Sequence, residues 1–285
     1  MVRQMMAGLG AVFEIAGRYD VLKLNHLILK HLTSIACTGL AALALTAPAF
    51  AQGRGGAPAG PPPPAKATTP VDITGYWVSI VNEDWRYRMT VAPKGDVDGV
   101  PLNAAGKAAA DAWDPAKDEA AGLQCRAYGA AAIMRMPERL HITWQDDNTL
   151  KMEIDTGTQT RIFPFTPNNA AGGDWQGVSQ AIWDRPKSRM AVGFFAPQGD
   201  WGGGLKVTTT KMKPGYLRRN GVPYSANAVL TEYYDRFDVP GGDTIMVVSA
   251  EVDDPQYMIS PFWTSTHYKK QADAKGWNPT PCSVK

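Results

Sequence analysis

Between Leu205 and Lys270 the chain passes through three long runs that read as β-strands, and this stretch constrains the fold more than any other. The runs are Leu205 to Met212, Ala228 to Phe237 and Thr244 to Val252. Each is rich in β-branched and aromatic residues, alternates in part with period two, and is bounded by Gly, Pro or Asp. Three antiparallel strands alone leave two bare edges and a face that cannot be buried. The rest of the chain must therefore supply more strands for them to close on.

It does so on both sides. Trp77 to Val81 is expected to be the first strand and Trp85 to Val91 the second. Further on, Arg139 to Trp144, Thr149 to Ile154 and Thr158 to Phe165 alternate between tight turns, the signature of a meander. Trp175 to Trp183 and Met190 to Phe194 are two further candidates and Phe262 to Tyr268 the last, and nine or ten of these runs are expected to form strands. One helical insertion interrupts them. Asn103 is placed to cap an alanine-rich run from Ala104 to Trp113, and Asp114-Pro115 to start a short helix that Gly122 ends. With no βαβ alternation, the expectation is a mainly β fold: a closed or nearly closed antiparallel β-barrel, with a two-sheet sandwich as the alternative.

The first 51 residues are expected to be a secretory signal peptide. Basic residues Lys23 and Lys30 precede the apolar run Ile35 to Leu45, and Ala49 and Ala51 form an A-x-A site with cleavage before Gln52. That run is shorter than the roughly 20 residues a membrane span needs. Residues before about Leu22 lie upstream of such a signal, and a start codon assigned too early accounts for them. Residues 52–71, rich in Gly, Ala and Pro, read as a linker, which leaves 72–285 as one β-barrel domain. The location expected is periplasmic or secreted.

The chain carries 29 Lys and Arg against 27 Asp and Glu. Arg3, Arg18, Lys23, Lys30, Glu14 and Asp20 fall in the signal, so the exported part is formally neutral. It lacks the basic stripe of a nucleic-acid binder. Cys125 and Cys282 remain after export, and an even pair in an oxidising compartment reads as a disulfide.

Two resemblances emerge from these elements. Gly75-Tyr-Trp77, opening the first strand, resembles the Gly-x-Trp of lipocalins, whose tryptophan closes one end of the barrel. Most of the exported chain also resembles a group of uncharacterised secreted proteins of acidobacteria and related soil bacteria. The motifs that carry it are Cys125-Arg-Ala-Tyr-Gly129, Met134-Arg-Met-Pro137, Trp175 to Trp183, Leu230-Thr-Glu232, Val252 to Tyr257 and Pro261-Phe-Trp263. The resemblance implies export and fold but no chemistry. Many members place His-Ser before the glutamate strand where Tyr224-Ser225 stands here, so no role for that histidine carries over.

Candidate chemistry is sparse. His141 and His267 are the histidines left after export, and an inward His beside a carboxylate suits general acid–base work. Glu232 alternates with Leu230 and Tyr234, and a carboxylate on a buried face needs a partner. Arg161 is the first choice, with Arg236 and Arg86 behind it. No cofactor motif and no metal-ligand spacing occur: there is no H-x-H or H-E-x-x-H, Gly202 to Gly204 is not a phosphate loop, and Ser179 lacks the serine-hydrolase elbow. The aromatic supply is large. Trp85, Tyr87, Trp144, Trp183, Tyr224, Tyr233 and Trp263 lie on or beside expected strands, and their polar handles suit a small hydrophobic or aromatic ligand in a barrel mouth. The leading expectation is a lipocalin-like binder of such a molecule. The alternative is a cofactor-free lyase, isomerase or hydratase using His141, Glu232, Tyr234 and Arg161.

Overall fold

The computed structural model describes residues 60–185 and 203–284. The expected signal peptide and the expected strand from Met190 to Phe194 lie outside the described residues.

Nine strands form one sheet: β1 (Gly75–Ile80), β2 (Arg139–Asp146), β3 (Thr149–Ile154), β4 (Gln159–Pro164), β5 (Val178–Asp184), β6 (Gly204–Thr210), β9 (Val229–Asp238), β10 (Thr244–Asp253) and β11 (Phe262–Gln271). A two-stranded hairpin, β7 (Gly215–Arg218) and β8 (Val222–Tyr224), branches off between β6 and β9. The sheet order β4-β3-β2-β1-β11-β10-β9-β6-β5 follows the chain around a ring, and every neighbour is antiparallel. The result is a nearly closed up-and-down barrel, as expected, and the sandwich alternative is not what forms.

The odd strand count decides how the ring closes. Antiparallel neighbours alternate in direction, so the end strands of a nine-stranded series, β4 and β5, point the same way. They cannot share the antiparallel ladder of the other pairs, and side chains bridge them. Gln176 Nε2 donates to Gln159 Oε1 at 3.0 Å, and Gln180 Nε2 donates to the Pro164 carbonyl at 3.0 Å. Asn168 adds bonds to Gln180 Oε1 and the Ser179 carbonyl.

Alternation on the strands sends Trp77, Leu140, Ile142, Leu150, Met152, Phe163, Leu205, Val207, Tyr234, Met246, Val248 and Tyr268 inward, where they form one buried core. Trp77 donates its indole N–H to the Ile73 carbonyl. At one margin of the seam, Trp144, Phe165 and Trp183 pack ring to ring, and Trp183 donates to the Ala65 carbonyl.

The expected strand from Trp85 to Val91 is a correction. Trp85–Arg88 is instead a single helical turn, α1, in which the amides of Tyr87 and Arg88 bond back to the Asp84 carbonyl. The alternating aromatics imitate a strand, but the buried side chain here is Arg88, held by Glu83 and the Arg135 carbonyl, while Trp85 stands 65% exposed.

The helical insertion forms as its caps dictate. Asn103 accepts from Gly106 N at the start of α2 (Ala104–Asp111), and Asp114 accepts from Ala116 N and Lys117 N at the start of α3 (Pro115–Ala120). A 3₁₀ turn, Gln124–Tyr128, follows and leads to α4 (Ala130–Ile133). A second buried cluster, with Leu102, Ala110, Met212, Leu217, Tyr224, Leu230 and Met258, joins the insertion and the β7–β8 hairpin to the barrel. Cys125 and Cys282 form the expected disulfide, which ties the 3₁₀ turn to the C-terminal tail across 157 positions. Among the described residues no helix is long and apolar enough to cross a membrane.

Candidate functional site

Two sites follow from this fold, one inside the barrel and one beside it. Inside, Arg161 reaches from β4 across to β9 and meets Glu232 with both ends of its fork, Nη1 to Oε1 at 2.8 Å and Nη2 to Oε2 at 2.6 Å. Both residues are essentially sealed, at 1% and 0% exposure. Tyr234 donates to Glu232 Oε1 at 3.2 Å and accepts from Arg161 Nη1 at 3.5 Å. Arg161 Nη2 also touches Thr209 Oγ1, which pairs with Ser179 at 2.8 Å. Burial, reinforced by the charge of Glu232, pushes the Tyr234 phenol well above its ordinary range. For Arg161 burial works against the charge, but Glu232 overcomes it and the guanidinium is held above its usual value. The network joins β4, β5, β6 and β9, the strands that flank the unladdered seam. It closes the ring from within.

A second interior carboxyl, Glu138, accepts from the Tyr268 hydroxyl, and its other oxygen has no partner. Burial raises it well above the usual carboxylate range, against the pull of Tyr268 and Arg88.

The sequence pairing of Arg161 with Glu232 and Tyr234 is therefore what the structure brings together. His141 is a correction to the four-residue constellation. Its neighbours Leu140 and Ile142 point inward, so alternation turns His141 outward, where it stacks on Tyr76 at 4.1 Å and lies 3.3 Å from Glu153. His267 faces outward by the same parity and lies 3.2 Å from Glu83.

The seven aromatics expected to share one lumen are likewise dispersed. Tyr233 sits between inward Glu232 and Tyr234 and so faces out, under the Lys206 ammonium. Trp263 is outward on β11 and 57% exposed. Trp85 and Tyr87 are on α1, with Tyr87 between the guanidinium groups of Arg86 and Arg218. Trp144 and Trp183 belong to the aromatic packing at the seam. Tyr224 alone reaches an open site.

That site is a cleft of about 320 Å³ between the helical insertion and the β7–β8 hairpin. Trp113, Tyr216, Tyr224 and Tyr257 wall it, with Asp118 and Arg126 among them. Each wall has a local cause. Gly221, at φ +84°, turns the hairpin and leaves room for Trp113: a Cβ there would fall 2.1 Å from the indole. Buried Asp254 accepts from Ser225 N and Oγ, both at 2.7 Å, and so fastens the end of β8 to the loop that carries Tyr257. Asn103 binds that same loop through Tyr257 O and Gln256 O. The disulfide fixes the turn that carries Arg126.

Three polar groups complete the cleft. Arg126 Nη1 donates to Asp118 Oδ1 at 2.6 Å and to the Tyr216 oxygen at 2.9 Å, and Tyr216 donates to Asp118 Oδ2 at 2.7 Å. Burial and the bond to Asp118 hold the Tyr216 phenol above its ordinary value. Two buried donors here lack acceptors, Arg126 Nε and the Tyr224 hydroxyl. Tyr224 is also raised by burial, hence neutral and able to donate.

Trp113, Asp118, Arg126 and Tyr257 were not among the sequence candidates. The available signal was Asn220-Gly221, a hairpin turn that folds two very short strands back over the insertion. Comparisons with known protein families, with curated proteins and with solved structures each return no match.

Proposed function

We propose that this protein is an exported binding protein of the lipocalin-like kind, and that its small hydrophobic or aromatic ligand sits in the cleft beside the barrel. The observation that carries the reading is the cleft itself. At about 320 Å³ it lies within the size range of small-molecule sites, about 300–1,000 Å³. It has four aromatic walls and a few convergent polar groups, which is how such sites are lined. The barrel core, by contrast, is occupied by large side chains from the facing strands. The Cys125–Cys282 bond supports a periplasmic or secreted location, because such bonds persist in oxidising compartments.

The rival enzyme reading draws less support. Its proton carrier, His141, is on the outer face, and Arg161, Glu232 and Tyr234 are bonded to one another in a sealed interior.

Calorimetric titration of the purified protein with a panel of phenolic and lipid-like compounds tests the proposal. Saturable binding is expected, weakened at least tenfold by Ala112→Phe, which adds a ring at an exposed position on the cleft margin. A panel without saturable heat, or binding indifferent to Ala112→Phe, would overturn it.

A further inference from the structure

The open walls of the cleft and a proline run in the same chain are chemical complements. Trp113 and Tyr257 stand half-buried at the cleft, and among the described residues the indole N–H and the Tyr257 hydroxyl have no hydrogen-bond partner. Tyr216 supplies a further ring, and Pro214 and Pro223 line the same space. A proline-rich segment presents the converse: apolar rings, and backbone carbonyls with no N–H of their own to satisfy. Aromatic-lined grooves recognise such segments because the extended left-handed helix is preformed and little order is lost on docking.

Pro61 to Pro64 is such a segment. Its prolines follow one another directly, which confines the backbone to the extended region, and all of them are exposed. The run is anchored at its C-terminal end. Ala65 N donates to Asn148 Oδ1 at 2.9 Å, Lys66 N donates to the Asp147 carbonyl at 3.0 Å, and Trp183 donates to the Ala65 carbonyl. These partners lie where β2 turns into β3 and where β5 ends. The cleft is at the opposite end of the barrel, where β6 and β10 end and β9 and β11 begin: Tyr216 follows β6, Tyr224 precedes β9, and Tyr257 lies between β10 and β11. Strands of 7 to 10 residues separate the two ends, a gap of about 20 Å or more. Four residues reach at most about 14 Å, so the run cannot enter the cleft of its own chain.

We infer that Pro61 to Pro64 of one copy docks in the cleft of a second copy, so that molecules associate head to tail. Run and cleft lie at opposite barrel ends, so the contact is heterologous and leaves a free run and a free cleft at the ends of a pair. The inference goes beyond the small-ligand reading and does not rest on it, although the two occupants compete for one space.

The probe is a synthetic peptide of residues 57–66, Ala57 to Lys66. It is titrated by calorimetry into purified protein carrying Pro61→Ser, Pro62→Ser, Pro63→Ser and Pro64→Ser, so that no run competes. Saturable binding is expected, lost when the same prolines of the peptide are serine, and weakened at least tenfold by Ala112→Phe at the cleft margin. Tyr257→Phe removes a donor and keeps the ring; it serves should the first cleft variant fold poorly, and should weaken the peptide severalfold. In sedimentation velocity the parent chain should gain mass with concentration, and the serine-substituted chain should not. Absence of peptide binding, binding indifferent to the serines or to both cleft variants, or a parent mass that does not change with concentration overturns the inference. So does self-association that persists in the serine-substituted chain. The small-ligand reading survives each of these results and fails only on its own panel of phenolic and lipid-like compounds.

Discussion

The molecule contains the same trio twice. Arg161, Glu232 and Tyr234 meet inside the barrel, and Arg126, Asp118 and Tyr216 meet on the wall of the cleft. In each, an arginine binds a carboxylate and a tyrosine hydroxyl donates to that carboxylate. Inside, the arginine uses both terminal nitrogens on one partner, and nothing of the trio is open to water. On the cleft the arginine is about a third exposed and uses one terminal nitrogen for two partners. Neither residue type nor hydrogen-bond saturation separates the two trios, since the Nε of both arginines lacks an acceptor; exposure does. The interior trio is sealed and serves the seam, whereas the cleft trio stands partly open on a cleft.

The sharpest way to break this contrast is to empty one half of the interior pair. Glu232→Ala leaves the Arg161 charge buried without a counter-ion, and breaking such a pair costs about 3–5 kcal/mol. Urea unfolding should register that loss in full. The double change Arg161→Met with Glu232→Leu should recover much of it, because apolar residues of similar volume often replace a buried pair at little cost. A single variant as stable as the parent would mean the trio does not hold the seam.

Next in size is the disulfide. Replacing both Cys125 and Cys282 by serine releases the tail from the 3₁₀ turn, and losing a native disulfide typically costs about 2–5 kcal/mol. The contrast makes a specific demand on this variant. At temperatures where it remains folded, ligand binding should weaken because Arg126 loses its anchor, while the interior trio, whose hydrogen bonds involve neither sulfur, should keep its geometry. Amide exchange along β4 and β9 set beside titration of the cleft measures the two separately.

How far this was legible beforehand differs between the trios. Leu230, Glu232 and Tyr234 alternate on one strand, and Arg161 alternates with Phe163 on another, so period-two parity alone put the interior members on one face. The same parity placed Tyr233 and Trp263 outside, and a stricter use of it would have excluded them and His141 from the lumen. The nine-strand count was visible too, but not its consequence at the seam, because the direction of closure appears only once the order of strands is known. Trp85, Tyr87 and Met89 misled for a physical reason: alternation in a four-residue turn cannot be told from a strand when the buried side chain is an arginine. The cleft was least legible. Its walls come from two short helices, a hairpin of three- and four-residue strands and a loop, and long-range contacts bring them together. Only Asn220-Gly221 and the caps at Asn103 and Asp114 hinted at it.

Glu138 sharpens the interior side through pH. Burial holds its folded-state pKa well above the ordinary glutamate value of about 4.3, close to which it titrates when unfolded. Below that value both states are protonated and its contribution is fully present. As pH rises further, the unfolded chain loses its proton while the folded one keeps it, so stability declines until the raised folded value is reached. The slope approaches about 1.4 kcal/mol per pH unit. Glu138→Gln removes the titration, and unfolding midpoints should show the variant gaining on the parent as pH rises above about 5. A difference that stays flat would show that Glu138 titrates normally in the folded barrel.

The smallest effect comes from one conservative change made in both trios. Arg161→Lys substitutes a point charge for a fork that makes two short bonds, in a place where the released oxygens of Glu232 find no water. A loss of about 1–3 kcal/mol follows from the unsatisfied buried acceptor. Arg126→Lys keeps an ammonium near Asp118, whose second oxygen still receives the Tyr216 hydroxyl, at a margin where solvent can complete the remaining shell. Partly exposed pairs are worth about 0.2–1 kcal/mol, so the loss should stay under about 1 kcal/mol. Measured side by side in urea, the two lysine variants report how far the burial of each arginine sets the cost. If Arg126→Lys proves as damaging as Arg161→Lys, the cleft trio is a structural clamp like its counterpart.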